Sequence, residues 1–472
     1  MNNRKQQVIQ GTYDFTLMGI IFLLILTGWF MIFASEFNPD KFTSIFQLQK
    51  NYGRQLLFIG LSFLIVVIIQ FMESRIIQNL SFYYLGFILI LLVAVLFTKP
   101  INGSTSWFDL GWFRFQPSEF GKTATAMALA FLLSIPDIKM TQNSGRLQAL
   151  GLISIPILLV LLQNDTGSTL VYLSFFLVLF RAGFPSVFFV IVLLGIILSV
   201  AALLVDSIWI ILLSLLMIAT LILLRNNKKL EKYFLTFFIT TLILWFFSQG
   251  AWVFIWIYVF FILFLVLSIY EIVYKNWQLV ITLSVLLIFM ITYVGSVNYL
   301  VHNALQPHQQ ERIWVWLRPE KCDPLGSMYN LEQSKYAIGS GGILGKGFLE
   351  GERTKLDYIP EQTTDFIFCT VGEEWGFLGN SLVILLFASF LLRVIYIAER
   401  QRTHFAKYYA YGVASIFLFH IFVNIGMTMG LLPVIGIPLP FISYGGSSML
   451  SFSIMVGILI KLDSERNSAY RS

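Results

Sequence analysis

The chain has 472 residues, 57% of them hydrophobic and 12% charged, with 31 Lys and Arg against 25 Asp and Glu for a net charge of +6. Soluble domains carry roughly 25% charged residues, so this composition excludes a water-soluble protein. Lys and Arg are scattered along the chain, many in short connections, which argues for membrane topology and against nucleic-acid binding. The two cysteines, Cys322 and Cys369, make neither a metal spacing nor a disulfide framework.

Apolar runs of roughly the 17–25 residues needed to cross a bilayer recur along the chain. Spans are expected at Phe15–Ala34, Gln55–Phe71, Leu80–Phe97, Glu119–Leu133, Leu150–Gln163 and Thr169–Phe180. Further spans are expected at Ser186–Val205, Ile208–Leu224, Tyr233–Phe247, Trp252–Tyr270 and Leu279–Val297, and the last three at Phe377–Ile397, Tyr409–Leu432 and Phe441–Ile460. The expected fold class is an all-α polytopic membrane protein of about 14 helices, with a long connection ahead of the last three. The first run is too long for a signal peptide and lacks a small-residue cleavage site, so it is read as a retained helix. With the N-terminus inside, alternate short loops collect Arg75, Lys139, Arg146, Arg181, the Arg225–Lys232 cluster, Lys275, Arg400, Arg402, Lys407, Lys461 and Arg466. The positive-inside rule then places both termini in the cytoplasm, and leaves Glu36–Arg54, Thr98–Pro117 and residues 298–365 outside.

No GxxxxGK[ST] sequence is present, which argues against an ATP-driven motor. Chemistry must then come from polar residues of the bundle and its outer loops. In RFQPSEFGK, Pro117 suits the first turn of a helix, and Glu119 and Lys122 at i and i+3 share a face. Two readings stand beside each other: an ion pair that anchors the helix end, or a functional group, since ionisable residues at membrane depth face the bundle interior or a watery cavity. Arg114 with Lys122 would suit phosphate groups.

The long loop carries Trp314, Trp316, Tyr329, Tyr336 and Tyr358, which argue against disorder. Its GSGGILGKG stretch superficially resembles a phosphate-cradling loop but lacks the strand-then-helix context, and a flexible turn or re-entrant segment is the expected role. Asp323, before Pro324, reads from the residues alone as a turn former. Glu361, Asp365, Glu373 and Glu374 are expected to cap the following helix. In LPVIGIPLPFISYGGSS, Pro433, Pro438 and Pro440 break the helix, and broken backbone at membrane depth must be packed in protein or line a cavity. His420 and Asn424, at i and i+4, are expected to make interhelical hydrogen bonds rather than bind a metal.

RFQPSEFGK, LLQNDTGSTL, DPLGSMYNLEQSKYAIGSGGILGKGFLEG, YIPEQTTDFIFCTVGEEWGFLG and GIPLPFISYGGSS occur in this order between Arg114 and Ser448. Together they resemble the SEDS family, the shape, elongation, division and sporulation membrane proteins of bacteria, and look more like its rod-shape members than its division members. The resemblance implies a peptidoglycan glycosyltransferase that polymerises lipid II, in the inner membrane, beside a class B penicillin-binding protein. It implies that Asp323 is the catalytic carboxylate and that Arg114, Glu119 and Lys122 are the substrate-binding polar group. A divalent cation, magnesium or manganese, is the one helper considered, and no organic cofactor is expected. The family's QPDLGT is here QNDTGS, with Asp165 kept and Asn164 in place of proline. The family's usual ten or so helices leave about four additional ones between Gly183 and Val297. The chain then divides into residues 1–183 and 366–472 as the two parts of a SEDS-like core, 184–297 as the region with additional helices, and 298–365 as the outer catalytic loop. The competing reading is a transporter or flippase of an undecaprenyl-linked precursor, which polar helix residues and broken segments also suit.

Overall fold

The computed structural model describes residues 13–37, 42–101, 103–111, 113–204, 277–323, 328–356 and 358–466. In chain order these form α1 (Phe15–Glu36), α2 (Asn51–Phe71), α3 (Ser74–Asn79), α4 (Ser81–Ala94), a hairpin of β1 (Phe108–Asp109) and β2 (Arg114–Phe115), α5 (Pro117–Ser134), α6 (Asn143–Leu162), α7 (Thr166–Tyr172) and α8 (Phe175–Arg181). There follow α9 (Ser186–Leu204), α10 (Trp277–Tyr299), α11 (Pro307–Leu317), α12 (Tyr329–Ser340), α13 (Glu352–Lys355), α14 (Ile367–Arg400), α15 (His404–Thr428) and α16 (Gly446–Ser464). Seven of these are long and apolar enough to cross a membrane, so the chain is an all-α, multi-pass membrane protein. The expected spans Ile208–Leu224, Tyr233–Phe247 and Trp252–Tyr270 lie outside the described residues.

The chain separates into two compact units, one of Met1–Ser186 with Cys322–Ser472 and one of Val187–Lys321. In the first, α5 is the centre. Nearly every side chain from Pro117 to Ala130 is buried, and α5 packs against α4, α6, α15 and α16. A helix covered on all sides needs no polar stripe, and small residues such as Ala124, Ala126, Ala128 and Ala130 let its neighbours approach closely. By contrast α1 and α2 leave large apolar side chains such as Phe22, Phe63 and Ile68 exposed, as faces toward lipid would be.

Polar side chains at the helix ends fix which ends lie together. Asp14, just before α1, pairs with Arg393 at 2.9 Å and Arg400 at 2.7 Å from α14, and Arg400 also pairs with Asp463 of α16. Thus the start of α1 and the ends of α14 and α16 share one end of the bundle. At the other end, Glu36 accepts from the Asn51 amide at 2.7 Å, joining the end of α1 to the start of α2.

In the second unit, the Ser199 and Tyr293 hydroxyls meet at 2.8 Å and join α9 to α10. Arg318 donates to the last carbonyls of α9, from Leu203 and Leu204, at 2.9 and 3.0 Å, where a cation complements a helix C-terminus.

Several expected boundaries move, each for a local reason. Thr169–Phe180 is two short helices, α7 and α8, separated by Leu173–Ser174. The span expected from Phe377 does start there, after a break at Gly376, but α14 also holds a helical stretch over 367–375 ahead of the break, so Glu373 and Glu374 lie in that stretch rather than capping the span. The helix expected from Phe441 begins only at Gly446, because Phe441 sits in the left-handed region at φ 64°. The loop expected over 298–365 holds α11, α12 and α13.

Candidate active site

Gln116 precedes a proline and is extended, at φ −111° and ψ 104°, and Pro117 takes the first position of α5, where its missing N–H costs nothing. Glu119 and Lys122 then stand one turn apart. Lys122 Nζ lies 2.6 Å from Glu119 Oε1, and the side chains are only 1% and 4% exposed. The Lys122 ammonium also lies 3.0 Å from His420 Nε2 on α15 and 5.8 Å from the centre of the Phe452 ring on α16. Glu119 Oε2 is buried with no hydrogen-bond partner among the described residues. An acceptor left unpaired inside costs about 1–3 kcal/mol.

The α5 start is tied to α16 by backbone-directed hydroxyls. Ser447 receives the Gln116 N–H at 3.1 Å and donates to the Arg114 carbonyl at 3.1 Å, and Ser451 donates to the Glu119 carbonyl at 2.7 Å. Asp165 caps α7 by accepting from the Ser168 N–H at 2.9 Å, and its other oxygen receives the Gln116 side-chain amide at 2.9 Å. Asn164 has φ 60°, a conformation asparagine tolerates and the proline ring forbids. The departure from QPDLGT thus goes with a different local backbone.

The segment between α15 and α16 is packed in protein. Ile437, Leu439, Phe441 and Ile442 are buried, and α1 approaches so closely that a Cβ on Gly28 would stand 2.5 Å from the Ile442 Cα. Its orphan carbonyls are met from one face of α15. His420 Nδ1 lies 3.0 Å from the Pro438 oxygen, and Asn424 donates to the Ile437 oxygen at 2.7 Å and to the Asp365 oxygen at 2.9 Å. His420 and Asn424 therefore serve broken backbone and not only neighbouring helices.

The four residues singled out from sequence fall into two environments. Glu119 and Lys122 are brought together in the core, whereas Arg114 is 58% exposed and lies 4.0 Å from Asp109 across the hairpin. Asp323 is exposed, next to residues 324–327, which lie outside those described.

Sequence reasoning treated Glu373 as a helix cap and missed the assembly around it. Its carboxylate receives the Arg353 and Thr354 N–H groups at 3.0 and 2.9 Å, the Thr354 hydroxyl at 2.7 Å and Lys346 at 2.9 Å. It caps α13, a different element from the one expected. The glycine turn beside it docks into α14 where that helix breaks at Gly376 (φ 64°, ψ −157°). Lys346 and Gly347 N–H groups bond the Glu373 and Glu374 carbonyls, and the Phe377 and Leu378 N–H groups bond the Gly342 and Ile343 carbonyls. The clustered glycines of GSGGILGKG and GEEWG were the available signal. A Cβ on Gly345 would meet the Glu374 oxygen at 2.1 Å, so only glycine fits.

Among the described residues no three His, Cys, Asp or Glu side chains converge as a protein-only metal site would require.

Comparison with known proteins places these features in context. A family model described as cell cycle protein, for FtsW, RodA and SpoVE, matches residues 15–209 and 204–468. A peptidoglycan glycosyltransferase RodA of Treponema pallidum is 32% identical over 466 residues, 97% of this chain and 99% of the relative. The peptidoglycan glycosyltransferase MrdB of Escherichia coli is 30% identical over 461 residues, 96% and 95% of the two chains. Among solved structures, a chain from a study of how a peptidoglycan synthase complex coordinates polymerization and crosslinking has a TM-score of 0.62 at 23% identity, covering 97% of this chain and 99% of that one. The rod shape determining protein RodA of Thermus thermophilus has a TM-score of 0.56 at 21% identity, covering 97% and 98%. At these identities the structural likeness speaks to the fold.

Proposed function

The chain belongs to the SEDS family of FtsW, RodA and SpoVE cell cycle proteins, and from that premise we propose that it is a peptidoglycan glycosyltransferase polymerising lipid II during cell-wall elongation. The observation that carries the proposal is the buried Glu119–Lys122 pair with its unpartnered carboxylate oxygen. It stands in the family motif of a chain that matches peptidoglycan glycosyltransferases along nearly its whole length.

In the proposed reaction, Asp323 takes the proton of the acceptor sugar 4-hydroxyl as that oxygen attacks the donor anomeric carbon. The bond from that carbon to the pyrophosphate breaks, and the polyprenyl pyrophosphate departs with the electron pair. In-line attack converts an α-linked donor into a β-1,4 glycan, so the enzyme inverts. A pyrophosphate is already a good leaving group, so the second carboxylate usual in glycoside hydrolysis is dispensable. Arg114, exposed at the hairpin, offers a bidentate donor to phosphate oxygens. Glu119 and Lys122 complete the substrate-binding group, and Glu119 Oε2, buried and unpaired among the described residues, is the acceptor they offer to a substrate N–H or O–H. A divalent cation, magnesium or manganese, would offset charge on the leaving pyrophosphate. With no protein-only cluster among the described residues, the substrate's own phosphates would supply most of its ligands.

The basic residues at the Asp14 end of the bundle, Arg181, Arg393, Arg400, Lys407 and Arg466, support a cytoplasmic location for that end and an outward location for the loop that carries Asp323. The partner proposed is a class B penicillin-binding protein, whose transpeptidase would crosslink the strands.

The test is to purify the protein with that partner and supply lipid II. Glycan chains are expected from the wild type, and Asp323→Ala should lose about 10²–10⁴ in rate, the usual worth of a general base. Equal chain yields from both would sink the base assignment. No chains from a folded complex, with lipid II crossing vesicle membranes instead, would favour transport. Chelation by EDTA should slow the reaction and added magnesium or manganese restore it, if the cation belongs to the proposal.

A further inference from the structure

His420 is wholly buried and both its ring nitrogens are engaged, Nδ1 by the Pro438 carbonyl at 3.0 Å and Nε2 by Lys122 Nζ at 3.0 Å. A carbonyl oxygen only accepts, so Nδ1 carries the proton. A second proton on Nε2 would point at an ammonium, which has donors and no acceptor, so Nε2 presents its lone pair and the ring is neutral. Both hydrogen bonds specify the same tautomer. The Lys122 ammonium then has two acceptors, Glu119 Oε1 and His420 Nε2, and lies within cation–π reach of the Phe452 ring.

We propose that His420 is a positioning residue for glycosyl transfer, holding Lys122 of α5 at a fixed place against the broken segment that precedes α16. The inference rests on Lys122 belonging to the substrate-binding group. A lysine on a flexible four-carbon stem is a mobile point charge. Without the imidazole it keeps its pairing with Glu119 but loses the contact that fixes the pair relative to Pro438. A misplacement of about 1 Å can cost about 10²-fold in rate, while stability loses the two buried hydrogen bonds of the ring.

The test compares His420→Leu, His420→Gln, His420→Asn, Lys122→Met and the double variant His420→Leu/Lys122→Met, each in complex with the penicillin-binding protein and supplied with lipid II. His420→Leu removes the acceptor, and its kcat is expected to fall by about 10²-fold with KM nearly unchanged. Glutamine can accept from Lys122 through its oxygen and donate to Pro438 through its nitrogen, so His420→Gln should recover most of the loss. Asparagine is too short to span both partners, so His420→Asn should stay low. If the leucine variant does not fold, the glutamine and asparagine pair decides the matter. The double variant should be no slower than Lys122→Met alone, because His420 acts through Lys122. Equal activity of all three His420 variants, losses that merely follow thermal stability, or multiplying effects in the double variant would each overturn the inference. Full activity of Lys122→Met would instead remove Lys122 from the substrate-binding group and this inference with it, while an impaired Lys122→Met beside an unimpaired His420→Leu would sink the positioning role alone.

Discussion

Taking Glu119 and Lys122 out of water is costly, and their attraction offsets that cost only while both are present. Glu119→Gln should therefore destabilise the protein by about 3–5 kcal/mol, the usual effect of leaving one buried charge uncompensated. The paired replacement Glu119→Leu/Lys122→Met keeps volume and removes both charges, and its stability should equal or exceed that of wild type by about 1–4 kcal/mol. Thermal unfolding in detergent measures both stabilities, and lipid II polymerisation measures whether the double variant still works. A stable double variant that makes no glycan would show that the pair is kept for function, whereas a stable, active one would return it to the helix-anchor reading. The i, i+3 spacing and Pro117 made this pair legible in the sequence. His420 was legible as a residue for an interhelical hydrogen bond, which it makes, but not with its partner, because Lys122 is 298 positions away and no local pattern encodes that meeting.

Elements were easiest to read where they are uniformly apolar, and hardest where backbone is satisfied from a distance. The polar GEEWG run offered only carboxylates to cap the next helix, because nothing in it shows that the glycine turn about thirty residues earlier supplies the hydrogen bonds that let α14 pass through a break. The proline-rich segment before α16 was recognised as broken, yet its packed state depends on Gly28, His420 and Asn424, which lie on other elements. Gly376→Ala tests the docking. The position has positive φ, and a Cβ there would stand 2.3 Å from the Gly345 nitrogen. The conformation alone should cost about 1–3 kcal/mol, and the turn should detach. Limited proteolysis is expected to gain a cut within residues 341–351, and an unchanged digestion pattern would show that the turn does not depend on the break.

Across the whole molecule, the arrangement of ends follows from charge. Burial alone would raise the Asp14 carboxyl, but hydrogen bonds from Arg393, the Leu17 N–H and Arg400 more than offset it and hold the group below the usual carboxylate range. A folded value below the unfolded one of about 3.9 gives a stabilisation that is complete above that value and lost as pH falls through the folded one. Asp14→Asn should then cost about 2 kcal/mol at neutral pH, less than a fully buried pair because the arginines keep some access to solvent. The gap from wild type should close in acid, and a gap that persists there would mean the charge is not what Asp14 contributes. The sequence showed these residues only as scattered charges near helix ends. Their convergence has a consequence for how the protein is made. Asp14 stands just before α1 and Asp463 near the end of α16, so 449 positions of chain are made between them. At roughly 5–20 residues per second, about 20–90 s separate their synthesis. For most of that interval α1 resides in the membrane without the arginines that secure its end, and until the interval closes without the α16 carboxylate that holds Arg400. The clamp therefore closes only once α16 has been made, and a product truncated before α16 would carry Arg400 without its second carboxylate, a difference that marks copies lacking that helix.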